Sequence, residues 1–181
     1  MTPELDAVND PSFLANLTSR PMDELRSVRT QLQALENSLS YVRRLIQGRV
    51  DIVGAELQRR RDGGDAGNNT ELIGRLPDIL AEERGEGGLA SVRPPTSMEP
   101  NAEVTAQLEA KLEAIIAADH LGNVVEMTPD DLNQGLGSLN DFENEVSVQR
   151  RSLHGYIDAV QAEVTRRYTT GEATVDGLLS S

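Results

Sequence analysis

Residues 36–60, ENSLSYVRRLIQGRVDIVGAELQRR, return at residues 143–167 as ENEVSVQRRSLHGYIDAVQAEVTRR. Twelve of the twenty-five aligned positions are identical, and the two segments are offset by 107 residues. Internal repetition fixes architecture, and here it indicates one duplication rather than a solenoid array. Five polar positions in each copy share the spacing E-x3-S-x2-R-x3-[Q/H]-x3-D. They are Glu36, Ser40, Arg43, Gln47 and Asp51 in the first copy, and Glu143, Ser147, Arg150, His154 and Asp158 in the second.

Apolar residues spaced alternately by three and four run through both copies and predict two long helices. The first seam is Leu25, Val28, Leu32, Leu35, Leu39, Val42, Ile46, Val50, Val53 and Leu57; the second is Leu132, Leu136, Leu139, Phe142, Val146, Leu153, Ile157, Val160 and Val164. Seams of this kind are typical of coiled coils. We therefore expect an all-α fold in which helices 21–61 and 128–168 pair as a coiled coil. If the two polar motifs bind one two-fold-symmetric ligand on one side of the helix pair, the symmetry axis of the ligand must be perpendicular to the helices. The helices must then be antiparallel, and antiparallel pairing is therefore expected.

The other segments are predicted from turn, linker and capping signals. They are a flexible N-terminal segment at 1–20, an acidic linker at 62–127 and a flexible tail at 169–181. The linker is expected to contain short helices at 71–84 and 102–119, a flexible loop at 85–101 and an extended stretch at 124–127. Thr128-Pro129-Asp130-Asp131 is a strong helix start, because it combines a hydroxyl cap, a first-turn proline and acids at the positive end of the dipole.

Composition excludes several functional classes. The net charge is −13, and residues 62–131 hold fifteen acids against four bases. Such acidity argues against direct DNA binding, which needs basic residues against phosphates, but it permits a basic protein partner. There is no cysteine, and the only histidines are His120 and His154. Nucleophilic or metal-assisted catalysis therefore lacks its parts, and we expect neither an enzyme nor a metal site. No membrane span or secretion signal is evident, so a cytoplasmic location is expected.

The polar motif forms a stripe about 80° wide that flanks the apolar seam on each helix. Arginine suits the O6/N7 edge of guanine, and a carboxylate can accept from guanine N1–H and N2–H₂. Ser40 and Gln47 are neutral donors suited to phosphate or ribose oxygens. Glu36 could orient Arg43 only by a long reach, so its role is less clear. The alternative is that these residues are solvated charges that tune helix pairing in an adaptor protein with no nucleotide ligand.

The stretch SLSYVRRLIQGRVDIVGAELQRR, the two motifs and the stretch RLPDILAEERG resemble the actinobacterial RsiG anti-sigma factors. The resemblance covers roughly residues 11–168. It implies a coiled coil that binds a dimer of cyclic di-GMP and then sequesters WhiG, a sigma factor of sporulation genes. It also implies that Arg43, Asp51, Arg150 and Asp158 read guanines, while Glu36, Ser40, Gln47, Glu143 and Ser147 position them or contact phosphate and ribose. His154 departs from the family motif, which has glutamine there; in its cationic form it would favour phosphate.

The two hypotheses are therefore a ligand-gated anti-sigma factor and a structural coiled-coil adaptor. In the first, the nucleotide fastens the long helices, and the acidic middle helices together with exposed apolar residues cover the basic surface of the sigma factor. A ligand can favour the sequestering form only through its greater affinity for that form.

Overall fold

The computed structural model describes residues 2–8, 10, 12–63 and 99–173. These residues form five α-helices and no strand: α1 (Pro3–Val8), α2 (Met22–Arg61), α3 (Ala102–Ile115), α4 (Ala118–Gly122) and α5 (Pro129–Thr169). Two 3₁₀ turns, Leu17–Ser19 and Val124–Glu126, precede α2 and α5. The predicted all-α fold is confirmed. The predicted helix at 71–84 and the loop at 85–98 lie outside the described residues, as does the tail from residue 174.

The chain divides into two compact units. The first unit takes in the described residues of Met1–Ser40, Met98–Thr105 and Val148–Ser181; the second takes in those of Tyr41–Ser97 and Ala106–Ser147. Each unit therefore contains part of α2 and part of α5.

Burial of the two seams explains why α2 and α5 pair. Every seam residue is buried except Val50 and Leu136, which are half-buried. The pairing is antiparallel in each unit. In the first unit, Arg26 donates to the Tyr168 hydroxyl at 2.6 Å, while Glu36, further along α2, is bound by Arg150, earlier in α5. In the second unit, Arg43 is bound to Glu143 at 2.7 Å, while Arg60, further along α2, donates to Met127, earlier in the chain than Glu143.

The start of α5 shows how local sequence fixes a helix terminus. The Thr128 hydroxyl accepts a hydrogen bond from the backbone N–H of Asp131 at 3.1 Å and donates to the Asp131 carboxylate at 2.6 Å. Pro129 occupies the first helical position, where a missing N–H costs nothing, and Asp130 and Asp131 lie at the positive end of the helix dipole. The hydroxyl cap therefore acts as the sequence predicted.

The duplication is longer in the structure than in the aligned sequence. The 3₁₀ turn at Leu17–Ser19 and the one at Val124–Glu126 are themselves 107 residues apart, as are the starts of α2 and α5. The extended conformation predicted for 124–127 is wrong over Val124–Glu126. Val124 and Val125 are buried, and the tight turn lets both valines reach the core immediately before α5 begins.

A buried ion pair holds the end of α2 to the turn before α5. The Glu56 carboxylate, fully buried, accepts from Arg59 at 2.8 Å and from Arg60 at 2.5 Å. Arg60 also donates to the backbone carbonyls of Met127 and Val125, both at 2.9 Å. Hydrogen bonding from Arg59 above all lowers the pKa of Glu56, against the opposing effect of burial. We call this arrangement the α2 clamp.

The repeat places the same arrangement at the end of α5. Glu163 accepts from Arg166 at 2.9 Å and from Arg167 at 2.7 Å. Arg167 also donates to the carbonyls of Arg20 at 2.7 Å and Leu17 at 2.9 Å, in the turn before α2. The hydrogen bonds from Arg166 and then Arg167 lower the pKa of Glu163 to about 2. This α5 clamp and the α2 clamp each fasten the end of one long helix to the segment that precedes the other.

Helix α3 is shorter than the predicted 102–119. Its N-terminus is capped by the Asn101 side chain, which accepts from the backbone N–H of Val104 at 3.0 Å. It ends at Ile115, and the extended backbone of Ala117 separates it from α4. Arg49 of α2 donates to the carbonyl of Leu112, in the last turn of α3, and to that of Ile116, just beyond the helix.

The apolar side of α3 faces the long helices and is covered. Val104, Leu108 and Leu112 are buried, as is Ile116 just beyond the helix. These four residues are therefore not among the exposed apolar residues that are expected to contact a partner. Its solvent-facing side carries acids such as Glu103 and Glu113, both exposed.

The N-terminal segment, expected to be flexible, contains ordered structure in its described residues. Leu5 and Val8 of α1 are buried. The Phe13 ring lies 6.3 Å from the Tyr156 ring, centroid to centroid, and the guanidinium of Arg20 lies over Phe13. Aromatic contacts and the α5 clamp therefore attach this segment to α5, which single-segment sequence patterns do not reveal.

Candidate functional site

The boundary between the two units divides each motif copy. Because the helices are antiparallel and the unit boundary crosses each motif, each unit receives the glutamate and serine of one copy and the last three residues of the other. The first set, in the first unit, is Glu36, Ser40, Arg150, His154 and Asp158. The second set, in the second unit, is Glu143, Ser147, Arg43, Gln47 and Asp51. Each unit thus holds one complete set.

In the first set, one carboxylate oxygen collects three side chains. Oε1 of Glu36 accepts from the Ser40 hydroxyl at 2.8 Å and from Arg150 Nε at 3.0 Å. His154 Nε2 lies 3.1 Å from the same oxygen. Glutamate and serine come from α2, whereas arginine and histidine come from α5, so the set is assembled by helix pairing.

In the second set, the arrangement recurs with the helices exchanged. Arg43 of α2 donates through Nε to Glu143 Oε1 at 2.7 Å and to the Ser147 hydroxyl oxygen at 2.9 Å. Ser147 in turn donates to Glu143 Oε1 at 2.9 Å. The serine therefore fixes the glutamate, and the glutamate fixes the arginine of the facing helix.

Electrostatics hold Glu36 charged, and the arginines of both sets stay partly accessible. Partial burial alone would raise the pKa of Glu36, but hydrogen bonds from Ser40 and then Arg150, together with the charge of Arg150, outweigh it, so this pKa is lowered. Arg43 and Arg150 keep 33% and 36% of their side chains exposed. Each binds its glutamate through Nε, which is one of the five N–H donors of a guanidinium. The outer edge of each arginine can therefore meet a ligand.

The remaining motif residues flank these contacts. Gln47 and Asp51 are half-exposed one and two turns after Arg43, and Asp158 is exposed one turn after His154. Asp158 borders a shallow groove together with Gln161, Ala162, Thr165 and Arg166, among others. These positions share a face with the arginines, and each set presents an arginine and a carboxylate about 12 Å apart along one helix.

Sequence reasoning considered only Arg43 as a partner for Glu36 and left the role of Glu36 open. Within one helix, Glu36 could reach Arg43 only with difficulty; in the structure it binds Arg150 of the other helix. The signal that could have revealed this is the repeat itself, since antiparallel pairing of two copies brings the start of one motif to the middle of the other.

In the second unit, the polar set and α3 lie on different sides of the long helices. Lys111 of α3 pairs with Glu145 at 2.5 Å, and Arg49 pairs with Glu113. Glu145 is two residues beyond Glu143, a rotation of about 200° around the helix axis. The side that carries the second set is therefore not the side that α3 covers.

The repeat also contains functional-looking residues to which sequence reasoning gave no role. The Glu56–Arg59–Arg60 and Glu163–Arg166–Arg167 triplets match in both copies. The structure makes them the two clamps. Their glutamates separate them from the motif, because Glu56 and Glu163 are buried, whereas Glu36 and Glu143 are 16% and 25% exposed.

A comparison with known families finds a match over the two segments that contain α2 and α5. The sequence model of the RsiG-like family matches residues 11–80 and 118–181. The chain belongs to the RsiG-like family. Both motif copies lie inside the matched segments, whereas α3 lies between them. No curated protein matches the chain.

Membership of the RsiG-like family suggests a regulator of the anti-sigma-factor type, acting on a sigma factor. Within the described ranges, no group of three or more His, Cys, Asp or Glu side chains could hold a metal ion. None of the helices in the described part of the chain combines the length and apolar character of a membrane span.

Proposed function

We propose that this RsiG-like protein is a cytoplasmic anti-sigma factor that binds cyclic di-GMP through its two polar sets. In the loaded form it sequesters a WhiG-type sporulation sigma factor and so blocks transcription. It is not an enzyme; the nucleotide acts as a regulatory ligand. The observation that supports the proposal best is the assembly of one complete Glu-Ser-Arg-[Gln/His]-Asp set in each unit, from both long helices.

The chemistry of each set suits guanine. A half-exposed arginine anchored at Nε is held in orientation by a carboxylate while its outer N–H groups can donate to guanine O6 and N7. The aspartate eight residues later can accept from N1–H and N2–H₂ of a second guanine. The two sets together offer two arginines and two aspartates for guanine. These four groups equal the number of guanines in two molecules of cyclic di-GMP. We therefore propose that two nucleotides bind per chain.

A bound nucleotide could control whether the two long helices are paired. Each set needs glutamate and serine from one long helix and arginine from the other, so a bound nucleotide stabilises the paired arrangement over any arrangement in which the helices separate. The free energy available for that stabilisation is set by ligand concentration relative to Kd.

The partner surface follows from charge. With a net charge of −13, the chain suits a partner with a basic surface, such as the DNA-facing surface of a sigma factor. In the described linker, α3 presents Glu103 to solvent while its apolar side is buried; Glu113 is also exposed but is paired with Arg49. The proposed contact of this segment with the sigma factor is therefore acidic rather than apolar.

Isothermal titration calorimetry with cyclic di-GMP tests nucleotide binding. Arg43→Ala and Asp158→Ala should each abolish or strongly weaken the heat of binding, one in each set. Arg26→Ala is the matched control, because Arg26 pairs with Asp23 and Tyr168, outside both sets. Wild-type binding that survives loss of Arg43 and Asp158 unchanged would show that the nucleotide binds elsewhere.

Co-purification with the sigma factor tests the second half of the proposal. Capture of the sigma factor should depend on added cyclic di-GMP and should fail for Arg43→Ala. Capture that is equal with and without the nucleotide would leave an anti-sigma factor without the proposed ligand control.

The alternative function is a coiled-coil adaptor with no nucleotide. It is favoured by one observation: Arg43 and Arg150 already pair with glutamates of the facing helix, as interhelical charges do in ordinary coiled coils. On that hypothesis cyclic di-GMP gives no heat with the wild-type protein.

A further inference from the structure

The two sets differ at one position. Gln47 in the second set and His154 in the first are equivalent residues of the repeat, 107 positions apart. The His154 side chain is 35% exposed and contacts Glu36 at 3.1 Å. The difference matters because an amide side chain offers two N–H donors at any ordinary pH, whereas imidazole offers one or two according to its charge.

The contact with Glu36 commits the single donor of neutral His154. Glu36 has a lowered pKa and is ionised near neutral pH, so its oxygens only accept hydrogen bonds. His154 Nε2 must therefore carry the hydrogen that lies toward Glu36. In the neutral ring, Nδ1 is then an acceptor. It could not hydrogen-bond to an anionic phosphate oxygen, because that oxygen is also an acceptor. Only the cation has a second N–H to donate.

We propose that His154 makes nucleotide binding at the first set depend on uptake of a proton, while the second set, with Gln47, binds without one. This inference rests on the proposed function. The charged groups that the observed contacts place beside His154 are Glu36 on α2 and Arg150 on its own helix, which meet His154 at Glu36 Oε1; Asp158 lies one turn further along α5. The proton makes Nδ1 a donor to a phosphate oxygen of the ligand and adds a positive charge beside it.

Calorimetry with cyclic di-GMP on the full chain tests the proposal, at pH 6 and pH 8 and in two buffers of different ionisation enthalpy. Wild-type affinity at the first set should rise by about tenfold from pH 8 to pH 6, as a charge-assisted hydrogen bond forms. The buffer dependence at pH 7 should reveal proton uptake on binding.

Three variants give matched comparisons. His154→Gln should bind with a flat pH profile and no proton uptake, because its amide donates to both Glu36 and phosphate. Gln47→His should steepen the profile by adding the same dependence to the second set. His120→Gln, which changes the exposed histidine of α4, should keep the wild-type profile.

The outcomes separate this inference from the proposed function. Binding with a flat wild-type profile, or with the same slope in His154→Gln, overturns the role of His154 and leaves nucleotide binding intact. Absence of heat for the wild type at both pH values overturns the proposed function and this inference together.

Discussion

Replacing Glu56 with glutamine should destabilise the protein more than any change of a surface charge. Glu56 is fully buried, and its partners Arg59 and Arg60 are only 5% and 16% exposed. The substitution keeps the shape of the side chain but removes its charge and turns one acceptor oxygen into a donor. That donor would then face the guanidinium of Arg59, which at present binds both carboxylate oxygens.

The magnitude follows from the partners that remain. Removing one member of a buried ion pair costs about 3–5 kcal/mol, because the other charge stays buried without compensation. Arg60 retains the carbonyls of Val125 and Met127, and glutamine retains one oxygen, so the lower end applies. We expect a loss of about 3 kcal/mol. For a chain of this size that corresponds to a fall in Tm of roughly 6–12 °C.

Urea unfolding followed by far-ultraviolet circular dichroism measures the loss, with thermal unfolding as a second measurement. Glu24→Gln is the control: Glu24 is half-exposed and pairs with Arg20 at 3.6 Å, so its replacement should change stability by less than about 0.5 kcal/mol. The double variant Glu56→Met, Arg59→Met should recover part of the loss, since it also removes the buried charge of Arg59, while Arg60 keeps the carbonyls of Met127 and Val125. A loss below about 1 kcal/mol in Glu56→Gln would refute the assignment of a buried clamp.

Three further predictions concern stability. The pKa of Glu163 is lowered from 4.5 to about 2 in the folded protein, so on acidification the unfolded protein protonates this carboxylate first. The stability advantage of wild type over Glu163→Gln should therefore be full above about pH 5 and should shrink as the pH falls toward 2. Urea unfolding across that pH range measures it. Leu39→Ala, in the seam and 1% exposed, should cost about 3 kcal/mol by the same assay, and a cost below about 1 kcal/mol would contradict its placement. Gly137→Ala should raise stability by about 0.5–1 kcal/mol through helix propensity, whereas Gly135→Ala should gain less or lose, because its Cβ would lie 2.5 Å from Ile116 Cδ1; equal gains would contradict that close packing.

The fold was predictable where apolar periodicity is strong. The seams place α2 and α5 within one residue of the observed ends, because a spacing of three and four is a direct consequence of helical geometry. The break after Ile115 was not predictable from periodicity, which continues through Ile116. At this end Arg49, a residue distant in sequence, donates to the carbonyls of Leu112 and Ile116.

The candidate site was predictable in its residue types but not in its pairing. Spacing alone identified Arg43 and Glu36 as members of one stripe, and the obvious partners were residues of the same helix. The observed contacts, Arg43 with Glu143 and Arg150 with Glu36, depend on the relative register of two helices. Register is a tertiary property, and it requires knowledge of which residues of α5 face which residues of α2.

The magnitudes help to decide between the two functional hypotheses. Ion pairs as exposed as Arg43–Glu143 and Arg150–Glu36 contribute about 0–1 kcal/mol each, far less than the buried seams. Coiled-coil charges can instead select the register. Here, however, each clamp already ties the end of one long helix to the segment before the other, through buried carboxylates and backbone carbonyls. Neither stability nor register therefore requires five polar positions at the same spacing in both copies. The proposed ligand would explain the repeated spacing, because a ligand that contacts each set would meet the same residue types in the first and second units.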